Sequence, residues 1–362
     1  MSSALPAAAA RATKARVARP PAWLVIPLLL LLLAMAFGIA VMTGAAGIPA
    51  RRLLDAILGL SGADAQAERD RLILWSIRLP RIVTAMMVGA MLAAAGAIMQ
   101  GLFRNPLADP SLVGVSSGAG LAAAVTIVIG DLFLPQIAGH LSVEILPLFA
   151  FLGALVATFA LYRLATRDYR TSIAIFLLGG IAIAALANSG IGLLVFVADD
   201  RQLRDVTFWL MGSLAGSTWP KAAAIAPALL LLAAAIPFMA RGLDLLVLGE
   251  AEAFHAGIPV QRLKVIAIVV VAAATGAAVS ISGIIGFVGI VVPHLLRLAI
   301  GPAHRLLLPA SMLLGAALLL LADTAARTIA APAEIPIGII TAAVGAPFFL
   351  MMLLRQRAIA TL

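Results

Sequence analysis

Ten apolar runs order this chain, near residues 23–43, 82–102, 111–130, 145–164, 172–197, 219–240, 264–282, 284–300, 306–323 and 336–354. Each is close to the roughly 20 residues that a helix needs to cross a hydrocarbon layer. Hydrocarbon offers no hydrogen bonds, so a chain inside it must satisfy its own backbone as helices or as a closed barrel. Unbroken runs of this length select helices over the short alternating strands of a barrel. Composition agrees: with 63% hydrophobic and 11% charged residues, too little charge remains to cover a water-facing surface. The sequence predicts an all-α, polytopic membrane protein of about ten transmembrane helices. A single transmembrane domain over 23–354 lies between a basic tail, 1–22, and a short tail, 355–362. The pair of runs flanking "SISG", 280–283, is the one place where two spans could fuse into one bent helix and reverse the C-terminus.

The charges orient the spans. With the N-terminus inside, fifteen of the 25 basic residues but only five of the 16 acidic ones fall in inner segments, as the positive-inside bias requires for ten spans with both ends cytoplasmic. The net charge of +9 is spread over short loops rather than clustered, which gives no reason to expect nucleic acid. With no cysteine in the chain, disulfide and thiolate chemistry are excluded. The basic tail before the first run reads as a cytoplasmic anchor, because that run is longer than the apolar core of a signal peptide. Trp23, Trp75, Trp209 and Trp219 lie at span ends, where interfacial aromatic residues belong. Between the fifth and sixth runs, "LRDVTFWLMGSLAG" is too short to cross and too apolar for a free loop, so it reads as a half-helix at or re-entering the interface.

Enzyme signatures are missing. Lys14, Lys221 and Lys264 follow Thr13, Pro220 and Leu263, so none is the lysine of a phosphate-cradling G-K-[ST] loop, and metalloprotease and serine-hydrolase motifs are absent. The histidines His140, His255, His294 and His304 have no second metal ligand at helical spacing and read as loop or capping residues. "GVSSGAG" at 114–120 follows no strand, and its small residues suit close helix packing. With 31 glycines and 20 prolines, the bundle suits a pathway better than a catalytic site. "GAMLAAAGAIMQGLF" in the second span is echoed by "ATGAAVSISGIIGFV" across the seventh and eighth, an offset of five spans that would make an inverted repeat. "GEAEAFHAGIPVQRLK", 249–264, carries Glu250 and Glu252 on a segment where inner loops are otherwise basic, followed by a Gly-Ile-Pro turn. It looks like a docking element.

Five stretches together resemble one family. They are "LPRIVTAMMVGAMLAAAGAIMQGLFRNPLADPSLVGVSSGAG" at 79–120, "FWLMGSLAG" at 208–216, "LGEAEAFHAGIPVQRLK" at 248–264, "GFVGIVVPHLLRLAIGPAHRLLLPAS" at 286–311 and "EIPIGIITAAVGAPFFLMMLL" at 334–354. They closely resemble the FecCD family, the permease subunits of bacterial ABC importers for iron siderophores, haem and cobalamin. The resemblance implies a type II importer fold in the inner membrane and a homodimer of ten-helix subunits. It also implies two cytoplasmic ATPase subunits that carry ATP-Mg, and a periplasmic binding protein that delivers substrate to the dimer axis. No cofactor would be bound by the chain itself, and the absent ATP loop is then expected.

The same resemblance implies roles residue by residue. Asn105, Pro106 and Leu107 border a cytoplasmic gate, with Thr171 and Ser172 as its second element. The segment around 245–262 is the coupling helix in the ATPase groove, with Leu248, Gly249, Glu250, Glu252, His255, Gly257 and Arg262 as its functional residues. Gly257 would allow the turn between two short helices. Arg51, Arg52 and Arg327 would receive glutamates of the binding protein; Arg78 and Arg81 compete for that role, but their place at the start of the second span suits snorkelling to the interface. Gln100 suits a helix-to-helix hydrogen bond. Haem is the expected cargo, because the 102–120 stretch resembles haem permeases most; ferric siderophore and cobalamin remain alternatives. No axial-ligand pair marks the path: Tyr162 and Tyr169 fall inside, and Met86, Met87, Met91 and Met99 suit packing. An ion-coupled secondary transporter and an intramembrane enzyme are the competing classes, the first predicting uptake with no ATPase and the second product formation without transport. Carboxylates inside spans would favour the secondary transporter, and the sequence places none firmly there.

Overall fold

The computed structural model describes residues 21–44, 48–58, 65–133, 138–167 and 170–360. Residues 1–20 of the expected basic tail, and Tyr169, lie outside the described residues.

The chain forms helices α1 (Ala22–Met42), α2 (Ala50–Leu58) and α3 (Ala65–Leu72), the last running through a π-helical stretch, Ile73–Arg78, into α4 (Leu79–Phe103). There follow α5 (Val115–Phe133), α6 (Ala138–Ala165), α7 (Ile173–Val197), α8 (Asp200–Met211), α9 (Trp219–Leu246), α10 (Glu250–His255), α11 (Val260–Ser282), α12 (Val288–Ile300), α13 (His304–Ile329) and α14 (Ile337–Ala360). The strand pair β1 (Thr166–Arg167) and β2 (Arg170–Thr171) closes the turn between α6 and α7. Seven helical stretches are long and apolar enough to cross a membrane, and shorter apolar helices at α5, α12 and α14 complete the ten expected positions. The second span is longer than its apolar run, an unbroken 39 residues from Ala65 to Phe103. The expected C-terminal tail continues α14 as far as Ala360.

Small residues set the packing. α4 and α11 are the two most buried spans, and the two echoing segments lie along them, the second continuing into the start of α12. A Cβ added at Gly89 would collide with the carbonyl of Gly315 on α13, and one at Gly96 with that of Gly289 on α12. Bare backbones therefore touch at two levels along one face of α4, a closeness that only small residues permit. Gly118 of the "GVSSGAG" stretch meets Gly153 and Ala157 of α6 in the same way.

The "SISG" runs are two helices, parted by Gly283 (φ 66°) and an irregular stretch that ends at Phe287 (φ 68°). At about 20 Å, α12 alone is too short to cross, and the stretch before it extends its reach. Such backbone needs protein cover in a membrane. Here α8 supplies it. A capping box of Asp199 and Gln202 starts that helix, and its end is tied in by Ser213 N–H to Ser282 O (2.8 Å) and by Ile337 N–H to Gly212 O (3.0 Å). Gly212, Ile284 and Gly338 pack backbone to backbone at this junction.

Candidate functional site

At one end of the bundle α10 projects between α9 and α11. Gly249 (φ 133°) and Gly257 (φ 83°) flank it in conformations that side-chain-bearing residues rarely adopt. The expected second short helix is instead the first turn of the long α11. Ala253 is fully buried and seats α10, while Leu248 (69%) and Phe254 (68%) stand exposed. Glu252, His255 and Arg262 are exposed beside them. Sequence reasoning passed over Phe254, although a lone aromatic residue in a polar helix was the available signal.

The expected gate loop begins where α4 stops. Asn105 N–H bonds to Gln100 O (3.2 Å) and Arg104 N–H to Gly101 O (3.4 Å), a Schellman closure whose left-handed residue is Arg104 (φ 52°) rather than glycine. The Asn105 side chain accepts from Leu107 N–H at 2.9 Å and Asn105 O accepts from Ala108 N–H at 3.1 Å, so Asn105, Pro106 and Leu107 form a fixed turn. Asp109 then caps a 3₁₀ turn, Pro110–Val113, through Ser111 N–H (2.8 Å). Burial raises its carboxyl above the usual carboxylate range, against the opposing Ser111 bonds.

The expected second gate element is equally defined. Ser172 caps α7 by accepting from Ile175 N–H (3.4 Å). Thr171 is buried, with its N–H on Gln261 Oε1 (3.2 Å) and its carbonyl on Lys264 Nζ (3.1 Å). Phe103 at the end of α4 and Phe176 in the first turns of α7 place their ring centroids 5.8 Å apart, which joins the two elements. Gln100 makes the expected bond between helices, Nε2–H to Gly289 O at 3.0 Å, and accepts from Arg297. Asp244 near the end of α9 accepts from both the backbone N–H (2.8 Å) and Nδ1 (2.6 Å) of His304, which is buried against Gly101. His304 is thus a packed residue at the head of α13, not a loop residue.

The opposite end corrects several expectations. Arg327 is 8% exposed and donates to Ala40 O (2.7 Å) and Thr43 O (2.9 Å) at the end of α1, so its guanidinium is committed inside the protein and does not present itself for docking. Arg78 is buried on Val41 O (2.7 Å), and Arg81 forks onto Asp323 (2.9 Å) and Glu334 (2.9 Å). Neither snorkels; each satisfies a buried acceptor that would otherwise be orphaned. Asp323 corrects the expectation about span carboxylates: it lies within α13, fully buried, paired with Arg81 and, at 3.6 Å, with Arg327. Arg52 pairs with Asp70 and reaches Gln66 O (3.3 Å), which fastens α2 to α3. Arg51 is exposed.

Between α5, α6, α8, α9 and α11 lies a cavity of about 370 Å³ whose lining includes Thr126, Phe208, Trp209 and Lys221. Met91 and Met99 are fully buried in the core, and Met86, Met87 and Tyr162 pack against it. Among the described residues no group of three His, Cys, Asp or Glu could hold a metal ion.

Comparison with known proteins matches residues 30–355 to the FecCD transport family. The hemin transport system permease of Yersinia pestis is 46% identical over 283 residues, which cover 78% of this chain and 83% of that one. The cobalamin import system permease of Halobacterium salinarum is 45% identical over 295 residues, 82% of this chain and 76% of that one. A solved structure of metal-chelate type ABC transporter, captured inward-facing, aligns with TM-score 0.78 at 31% identity, covering 92% of this chain and 99% of that one.

Proposed function

The chain belongs to the FecCD transport family, and from that premise we propose that it carries haem across the bacterial inner membrane as one half of a homodimer. It is a multi-pass permease subunit of an ABC importer, and ATP is hydrolysed by partner ATPase subunits. The observation that carries the assembly is the shape of α10 and the turn before it: a helix seated by buried Ala253 exposes Phe254, and the turn exposes Leu248, beside Glu250 and Glu252. Apolar anchors ringed by charge are what a protein partner's groove selects. In this reading the groove belongs to the ATPase, and both termini lie on its side of the membrane, the cytoplasm. His255 and Arg262 flank the anchors, and Gly249 and Gly257 hold the turns. Asn105, Pro106, Leu107, Thr171 and Ser172 form the inner gate. At the other end Arg51 meets a carboxylate of the periplasmic binding protein, while Arg52 serves by holding α2 against α3. α7 is the most exposed of the seven long spans, which leaves its face open to lipid and to a second copy of the chain alike.

Haem is favoured by the 102–120 stretch, which resembles haem permeases most; the hemin and cobalamin permeases are about equally similar to the chain, at 46% and 45% identity, and cobalamin is the alternative. ATP-driven cycling of the ATPases would move α10 and re-bias the gates. Reconstitution in vesicles with the partner ATPase and binding protein, offering haem, a ferric siderophore and cobalamin side by side, tests the proposal. Haem should accumulate only with ATP and binding protein. Accumulation of cobalamin instead overturns the cargo, and uptake driven by an ion gradient without ATPase overturns the mechanism.

A further inference from the structure

One buried cation joins the projecting helix to the gate. Lys264 sits one turn into α11 and is 2% exposed. Its Nζ donates to Glu250 Oε2 at 2.8 Å, in the first turn of α10, and to Thr171 O at 3.1 Å, at the entry to α7. One turn earlier on the same helix Gln261 accepts from Thr171 N–H (3.2 Å). The first turn of α11 thus holds both backbone groups of Thr171, and the Thr171 hydroxyl closes on Thr166 at 3.0 Å.

The two partners of Lys264 differ in freedom. Its own side chain is 3% exposed, whereas that of Glu250 is 38% exposed, on the element offered to the ATPase. An ammonium at such depth cannot be left without a carboxylate at low cost. When α10 shifts, Lys264 must therefore follow Glu250 or fall back on Thr171 O, and either changes the hold on α7. We propose that Lys264 is the positioning residue that passes displacement of α10 to the entry of α7, coupling the ATPase contact to the inner gate. This rests on the importer reading above.

The test uses the full complex of permease, ATPase and binding protein in lipid nanodiscs and vesicles. Lys264→Gln removes the charge but keeps a donor for Thr171 O; Lys264→Met removes both; Lys264→Arg restores the charge. The readouts are cargo moved per ATP hydrolysed, and the ATP response of a spin label at Ala174→Cys in the first turn of α7, placed on the permease before assembly and the one label site in each copy because the chain has no cysteine. Lys264→Met and Lys264→Gln should assemble with the ATPase and hydrolyse ATP, yet cargo per ATP should fall about tenfold and the label should stop responding, with Lys264→Arg recovering both. Unchanged cargo per ATP with an unchanged label response overturns the proposal. So does loss of assembly in all three variants, arginine included, which would make Lys264 a folding residue. A wild-type complex that binds no ATPase or shows no ATP-driven uptake fails the importer reading itself, whatever the variants do.

Discussion

Arg104 closes α4 in a conformation that costs an L-residue about 1 kcal/mol and costs glycine almost nothing. Arg104→Gly should raise the melting temperature of the purified permease, with stability up by about 1 kcal/mol; an unchanged or lower melting point would mean that the arginine side chain offsets its own strain. Asp109 gives a pH-dependent case. Its carboxyl titrates higher folded than unfolded, so the folded state loses stability as pH rises from the ordinary carboxylate value through the raised one. Asp109→Asn keeps an acceptor for Ser111 N–H, and its melting advantage over the natural protein should grow across that window and then stay level. At the other end, Arg81→Ala leaves buried Asp323 with only Arg327, 3.6 Å away, and should cost about 3 kcal/mol, part of which Asp323→Ala should return in the double variant. The sequence shows Asn105 as a turn former because its partner is two residues away. It hides the partners of Arg81, which lie 242 and 253 residues further along the chain. Nothing local separates an arginine that reaches water from one that reaches a buried carboxylate.

Among the elements, α10 and α8 were legible and their seating was not. The acidic pair of α10 stood out against basic loops, and the length of α8 ruled out a crossing. The junction that receives α8 is built from Gly212, Ile284 and Gly338, each unremarkable in its own stretch and brought together only by the fold. Gly338→Ala would drive a Cβ into the carbonyl of Met211, which has no freedom to yield, and should cost about 1–3 kcal/mol, seen as a lower melting temperature in detergent. For α10 the expected result is different in kind. Leu248→Ala with Phe254→Ala should leave the melting temperature alone, since both side chains are exposed, and weaken ATPase association at least about tenfold in a binding titration.

Across the whole molecule, the run count gave the spans, and the small-residue stretches gave where helices would touch. Depth and order of burial came only from the fold, because a span facing lipid and a span facing protein are equally apolar. The two ends of α13 keep the two surfaces apart: His304 lies beside Asp244 at the α10 end, and Arg327 follows 23 residues, or about 35 Å, later. Cysteines placed at Arg262 and Arg51 should therefore react with a membrane-impermeant reagent from opposite sides of sealed vesicles. The backbone contacts at Gly89 with Gly315 and Gly96 with Gly289 carry a mechanical consequence. With no side chain between them to change rotamer, α4, α12 and α13 have no soft layer at which to slide, and they should turn together like a keyed axle. Whatever compliance the transport cycle demands must then be found where the chain is not helical, and the five residues from Gly283 to Phe287 are the natural flexure.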